Sequence, residues 1–229
     1  MTVTREDAAR TSGQGPARAG AAEQLTRADQ VARGKDARTS APLESHAEFK
    51  PGATRDPVGL LLEQAKSRVP ELVPVRHGRM LVSPFAFFRG AALPMAADLA
   101  TTPVSGLRAQ LCGDAHLSNF GAFASPERRL VFDVNDFDET LPGPFEWDVK
   151  RLAASLAVAG RDNGFGVKDR RQIVLAAAGG YRTAMRGFAQ TGPNRCSCRP
   201  KRPRRPCWRL TAGAASTAAR ASGSSPGST

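Results

Sequence analysis

Gly113-Asp114-Ala115-His116-Leu117-Ser118-Asn119 and, downstream, Phe132-Asp133-Val134-Asn135-Asp136-Phe137-Asp138 are the two segments on which the reading of this chain turns. Each is a polar loop abutting an apolar run. Leu107–Leu111 alternates weakly and leads into the first loop. Phe120–Phe123 and Leu130–Val134 are strand-like, with the turn formers Ser125-Pro126-Glu127-Arg128 between them. A strand–turn–strand unit here makes a hairpin that holds the two polar loops at one mouth. Asp114, Asn119 and Asp136 then offer one carboxylate to orient or deprotonate an attacking hydroxyl. They also offer an amide oxygen and a second carboxylate, hard ligands of the kind magnesium prefers.

Outward from this core the pattern is mainly helical. Asp56-Pro57 reads as a helix start, with Val58, Leu60, Leu61, Leu62 and Ala65 on one broad face. Val75–Val82 reads as a further helical segment, and Phe85–Phe88 as a short strand or buried turn. Ala91–Ala100 reads as a helix ending before Pro103. After the acidic segment, Leu141-Pro142-Gly143-Pro144 breaks the chain. Trp147–Ala159 is amphipathic, and Val167–Ala189 is a second long helix. The aromatics Phe85, Phe87, Phe88 and Trp147 are assigned to the core. Arg89 is expected in a buried ion pair with Asp98, the other option being a phosphate.

The flanks differ in kind. Residues 1–43 are rich in Ala, Gly, Arg, Thr and Gln without an apolar period, and are read as a disordered segment. Residues 44–190 form the ordered domain. From 191 to 229 there are Arg195, Arg199, Lys201, Arg202, Arg204, Arg205, Arg209 and Arg220 and no acidic residue. Most of the net charge of +12 therefore belongs to a basic tail, whose composition also fits a shifted reading frame. Cys196, Cys198 and Cys207 lie in this tail without a second CxxC or a nearby histidine, which makes a weak zinc motif. Trp208 is its sole base-stacking aromatic, so the tail suits nonspecific nucleic-acid contact at most. Cys112 reads as a small buried hydrophobe. No apolar run reaches the roughly 18 residues of a membrane span, and the N-terminus has no apolar signal core. A cytoplasmic protein is expected.

The motif Gly-Asp-x-His-x-x-Asn followed by hydrophobic-Asp-Phe-Asp resembles the catalytic and metal loops of aminoglycoside phosphotransferases and choline kinases, which share the protein-kinase fold. The resemblance implies Asp114 as catalytic base, Asn119 and Asp136 as metal ligands and His116 as a structural member of the loop. It implies Asp148, within Pro142-Gly-Pro-Phe-Glu-Trp-Asp148, as a supporting carboxylate. Asp133 and Asp138 are neighbours without an assigned role. Longer motifs carry a second resemblance. Ser45-His-Ala-Glu-Phe, Val69-Pro-Glu-Leu-Val-Pro-Val-Arg, Ser83-Pro-Phe-Ala-Phe-Phe-Arg-Gly-Ala-Ala, Met95-Ala-Ala-Asp-Leu-Ala and Leu111–Ala154 resemble the bacterial domain of unknown function 2252, from about Ser45 to Gln190.

Together these imply an α+β, mainly helical fold like part of a kinase large lobe, with the site on a small β-hairpin. They imply phosphoryl transfer to a hydroxyl of a small molecule, with magnesium and ATP or another nucleotide as cofactors. Members of the family are much longer chains, whose glycine-rich loop and strand lysine follow the region present here. Gly164-x-Gly166 and Gly179-Gly180 lack phosphate-loop spacing. The chain is thus expected to be a truncated phosphotransferase, inactive by itself, with apolar helix faces left uncovered and poor solubility. Two other readings stand beside it. One is a metal-dependent hydrolase built on His116 with Asp114, and only His46 and His77 to assist. The other is a noncatalytic binding protein with a basic tail.

Overall fold

The computed structural model describes residues 25–191. The basic stretch, its cysteines and most of the N-terminal segment lie outside these residues. The chain divides into a short N-terminal unit ending at Asp36 and a main unit from Ala37 onward. The fold mixes helices with two small antiparallel sheets and is predominantly helical.

Helix α1 (Arg27–Ser40) occupies a stretch assigned no regular structure from its composition. The signal there is capping. The Thr26 hydroxyl accepts from the Asp29 N–H at 3.2 Å, and the Asp29 carboxylate accepts from the Thr26 N–H at 3.0 Å. That reciprocal pair is a capping box, which starts a helix without any apolar period.

In the main unit a 3-10 turn (Leu43–Ala47) precedes α2 (Pro57–Ala65), where the Asp56 carboxylate accepts from the Gly59 N–H at 2.8 Å. Next come α3 (Val73–Met80), α4 (Pro84–Gly90) and α5 (Ala92–Ala100). Helix α4 replaces the strand or turn expected over Phe85–Phe88. The Ser83 hydroxyl accepts from the Ala86 N–H at 3.1 Å, and Pro84 occupies the first turn. A serine cap followed by proline outweighs the β preference of the aromatic run.

Strand β1 (Arg108–Leu111) pairs antiparallel with β4 (Leu141–Pro144). Strand β2 (Phe120–Ala124) pairs with β3 (Leu130–Val134), Phe120 opposite Val134. The inner hairpin is thus an excursion from a mouth closed by β1 and β4. Strand β4 is the segment expected to break the chain. Its prolines are tolerated because the Phe145 N–H points to β1, donating to the Leu107 carbonyl at 3.3 Å. By alternation Pro142 and Pro144 turn their missing N–H groups away from the partner.

Helix α6 (Phe145–Asp162) packs against β1, α4 and α7 (Val167–Thr191), while α2 packs on α5 and α3 on α4. The buried apolar set is Leu61, Met80, Leu99, Leu111 and Leu156 with several alanines and Cys112. The aromatics assigned to the core are not in it. Phe87 is exposed and Phe85 and Phe88 are only partly buried, because the seven-residue α4 offers them no enclosed layer; Trp147, in the first turn of α6, is also only partly buried. Val167 and Leu175 on α7 are exposed. No helix among the described residues is long and apolar enough to cross a membrane.

Gly113 sits where β1 turns into the first polar loop, at φ +84°, and a Cβ there would meet the Glu139 carbonyl oxygen at 1.9 Å. Gly164 also has positive φ, but open space around it. Gly113→Ala should therefore cost about 2 kcal/mol or more, and Gly164→Ala about 1 kcal/mol, in urea unfolding of the intact chain.

Candidate functional site

The first polar loop lies on one face of α6. Asp148, Arg151 and Ser155 follow the helical spacing that aligns side chains along one stripe. Asp148 accepts from the Cys112 N–H at 2.7 Å and the Gly113 N–H at 3.2 Å. Arg151 donates from Nε to Asp114 Oδ1 at 2.7 Å. Its Nη2 donates to the same oxygen and to the Phe88 carbonyl at 3.1 Å. The guanidinium also lies over the Phe88 ring, 4.6 Å from its centroid. Ser155 Oγ accepts from the Leu117 N–H at 3.0 Å and donates to the Leu152 carbonyl at 2.7 Å. One helical stripe therefore fixes the loop from Cys112 to Leu117.

Arg151 and Ser155 were not singled out from the sequence. The available signal was their polarity within the apolar stripe of α6, three and seven residues after Asp148. Both are almost wholly buried, Arg151 at 2% exposure. Buried charge of this kind is retained where it is paired.

Asn119, at the end of a 3-10 turn (Leu117–Asn119), joins the two polar loops. Its amide nitrogen donates to the Asp114 carbonyl at 3.1 Å and the Asp136 carbonyl at 3.0 Å. Since only the NH₂ can donate to two carbonyls, its side-chain oxygen is left as an acceptor. The Asn135 N–H donates to the Asn119 carbonyl at 2.9 Å, and Thr140 Oγ1 donates to the Leu111 carbonyl at 2.6 Å, so both loop ends are tied. Asp136 is exposed, and its Oδ1 accepts from the Asp138 N–H at 3.0 Å.

The structure thus brings Asp114, His116, Asn119, Asp136 and Asp148 together, with Asp138 against Asp136. Asp133 is outside this cluster. It is exposed on β3 opposite Gly121, its carboxylate accepting from the Val134 N–H at 2.8 Å. Arg89 is not in the buried ion pair expected for it. Asp98 is held by Arg55 at 2.7 and 2.9 Å, and Arg89 is exposed at the end of α4.

His116 Nε2 is 3.6 Å from Asp114 Oδ2. Burial, partly offset by the Asp114 charge, lowers the His116 pKa, so the ring is neutral at physiological pH. Burial raises the Asp148 carboxyl despite its two backbone bonds, and raises the Cys112 thiol. Among the described residues no three His, Cys, Asp or Glu side chains assemble as a metal-holding group. Hard oxygen donors are nevertheless present on the two loops that Asn119 ties together: the Asn119 side-chain oxygen and the exposed carboxylate of Asp136. Two such donors fit magnesium, which keeps waters and substrate oxygens for the rest of its shell.

A model of the bacterial family described as "Uncharacterized protein conserved in bacteria (DUF2252)" matches residues 68–217. The match includes both polar loops and α6 but not Ser45–Phe49, and it continues into the basic stretch. No curated protein and no solved structure matches the chain.

Asp148→Ala should orphan the Cys112 and Gly113 N–H groups and lower stability by about 2 kcal/mol, read by urea denaturation. A second expectation concerns pH. A histidine whose folded pKa lies below its ordinary 6.5 stabilises the fold above that value. That stability is lost as pH falls below 6.5 toward the folded pKa, because only the unfolded chain takes up the proton. Thermal melts between pH 7 and 5 should show a decline that is shallower in His116→Gln.

Proposed function

The chain belongs to this bacterial family of uncharacterized proteins, and we propose that it carries the hydroxyl-activating and metal-holding side of a kinase-like, magnesium–nucleotide-dependent phosphotransferase. The observation that supports this most is the Asn119 amide bridge, which sets the Asp114 loop and the Asp136 loop side by side. Asp114 is the group that meets the acceptor. One carboxylate oxygen is held by Arg151, and the side chain retains 21% exposure, so the other can take a hydrogen bond from a hydroxyl. As the hydroxyl oxygen bonds to phosphorus and the bond to the leaving diphosphate breaks, the hydroxyl proton passes to Asp114. Asn119 and Asp136 would hold magnesium, which when bound offsets the charge of the phosphates. His116, neutral and buried, stiffens the loop beside Asp114.

The acceptor is read as a small hydroxyl compound. No glycine-rich phosphate cradle is present in the sequence: Gly164-x-Gly166 spans the α6–α7 turn and Gly179-Gly180 lies inside α7. Turnover by this chain alone should accordingly be slow, since electrostatic grip on the phosphates is most of the catalysis. A hydrolase built on His116 would need a fuller set of nitrogen and carboxylate ligands than the one assembled around it.

Single-turnover transfer of the labelled terminal phosphate of ATP to a panel of small alcohols, with magnesium, tests the reading. Asp114→Asn should slow transfer by about a hundredfold or more while keeping magnesium–nucleotide binding. Asp136→Ala should lose both. Metal-dependent ester hydrolysis without nucleotide would point instead to the hydrolase, and salt-sensitive DNA binding without transfer to a binding protein.

A further inference from the structure

The C-terminal end of α4 gathers more positive charge than the fold uses. Arg76 of α3 donates from Nη2 to the Gly90 carbonyl at 2.7 Å, and Arg151 of α6 donates to the Phe88 carbonyl at 3.1 Å. These two bonds explain one donor of each guanidinium, as cations closing a helix C-terminus. Asp114 accounts for Arg151 Nε and the other Nη2 contact, and further donors remain. Arg151 Nη1 is buried without a partner on a side chain that is 98% enclosed, as is Nδ1 of the buried His116. Arg68 Nε is likewise buried and unpartnered. Arg89, exposed on the same turn of α4, makes no hydrogen bond or ion pair among the described residues.

These groups act on one another. Arg76 is pushed below its ordinary pKa by burial and then by the Arg68 charge, with Glu139 and Asp114 pulling the other way. His116 feels Asp114, Arg151 and Arg89 together. Arg76 and Arg151 thus meet the end of α4 on either side of Arg89 in sequence, with Arg68 close enough to act on Arg76, and Asp114 is already engaged by Arg151. Placing like charges together with unfilled donors is costly unless an anion enters. A guanidinium fork matches the oxygens of a phosphoryl group two at a time.

We propose that Arg68, Arg76 and Arg89, backed by Arg151, form a binding site for a phosphate-class oxyanion next to Asp114. The site is argued from the arginines. Only its assignment to a reacting molecule rests on the phosphotransferase reading. The oxyanion has two sources with the same chemistry, the phosphate tail of the nucleotide or a phosphate already borne by the acceptor.

Calorimetric titration of pyrophosphate, without metal, into the full chain at low salt tests the site. Wild type should bind saturably. The double variant Arg68→Met/Arg89→Met removes two side chains without a hydrogen bond in this structure, so its melting temperature should hold while affinity falls on the order of tenfold. Arg129→Met, an exposed arginine in the β2–β3 turn, should leave binding unchanged. No binding by wild type, or equal binding by the double variant, overturns the proposal, the latter by assigning the anion to the basic stretch 191–229 or elsewhere. If the site holds, competition by magnesium–ATP assigns it to the nucleotide, and pyrophosphate binding alongside magnesium–ATP assigns it to the acceptor. Binding that depends on Arg68 and Arg89 in a chain without phosphoryl transfer keeps the site and sinks only the enzymatic reading.

Discussion

The grip of α6 on the Cys112–Leu117 loop is the constraint from which the rest of the site follows. A loop of this length next to buried residues leaves backbone N–H groups to satisfy, and an unmet buried donor is expensive. Asp148 satisfies two of them and Ser155 a third. Arg151 satisfies the Asp114 carboxylate. All three come from one rigid helix, so the loop inherits the precision of α6. Mobility in that segment would scatter the carboxylate.

The second loop is placed relative to the first, and not by α6. Asn119 spans from one to the other, and the β1–β4 pair closes the mouth behind them. Gly113 permits the closure, because its φ and the nearness of the Glu139 carbonyl exclude any side chain. Arg76 and Arg151 close helix α4 through the Gly90 and Phe88 carbonyls, and Arg151 Nη1 stays buried without a partner. A polar network of this density stands where apolar packing would be the simpler solution. The buried apolar set around it consists of a few leucines, Met80 and small residues.

Much of this was legible from residue order. Asp56-Pro57 announced α2, the amphipathic periods announced α6 and α7, and the two strands flanking Ser125–Arg128 announced the β2–β3 hairpin. These are local signals with local causes. The misreadings share a different cause. At Phe85–Phe88 three β-prone aromatics mask a two-residue start signal at Ser83-Pro84. At Leu141–Pro144 the prolines looked like breakers because the side their N–H groups face depends on strand register, which is a property of the pair. Helix α1 rests on a cap where no period marks it. The expected Arg89–Asp98 pair does not form because Asp98 is held by Arg55, 43 residues away, across a fold that no local pattern encodes. Arg151 and Ser155 became visible only once α6 was known to lie along the loop. A polar residue on an apolar stripe is the trace such residues leave in sequence.

Amide hydrogen exchange in the intact chain tests the grip of α6 most directly. The N–H groups of Cys112, Gly113 and Leu117, which lie outside the regular ladders, should exchange as slowly as the interior of α6. In Asp148→Ala the Cys112 and Gly113 N–H groups should speed up together, and in Ser155→Ala the Leu117 N–H, because these side chains accept from them. Exchange at these three positions as fast as in the exposed Ser125–Arg129 turn would contradict that grip, and with it the ordered placement of Asp114.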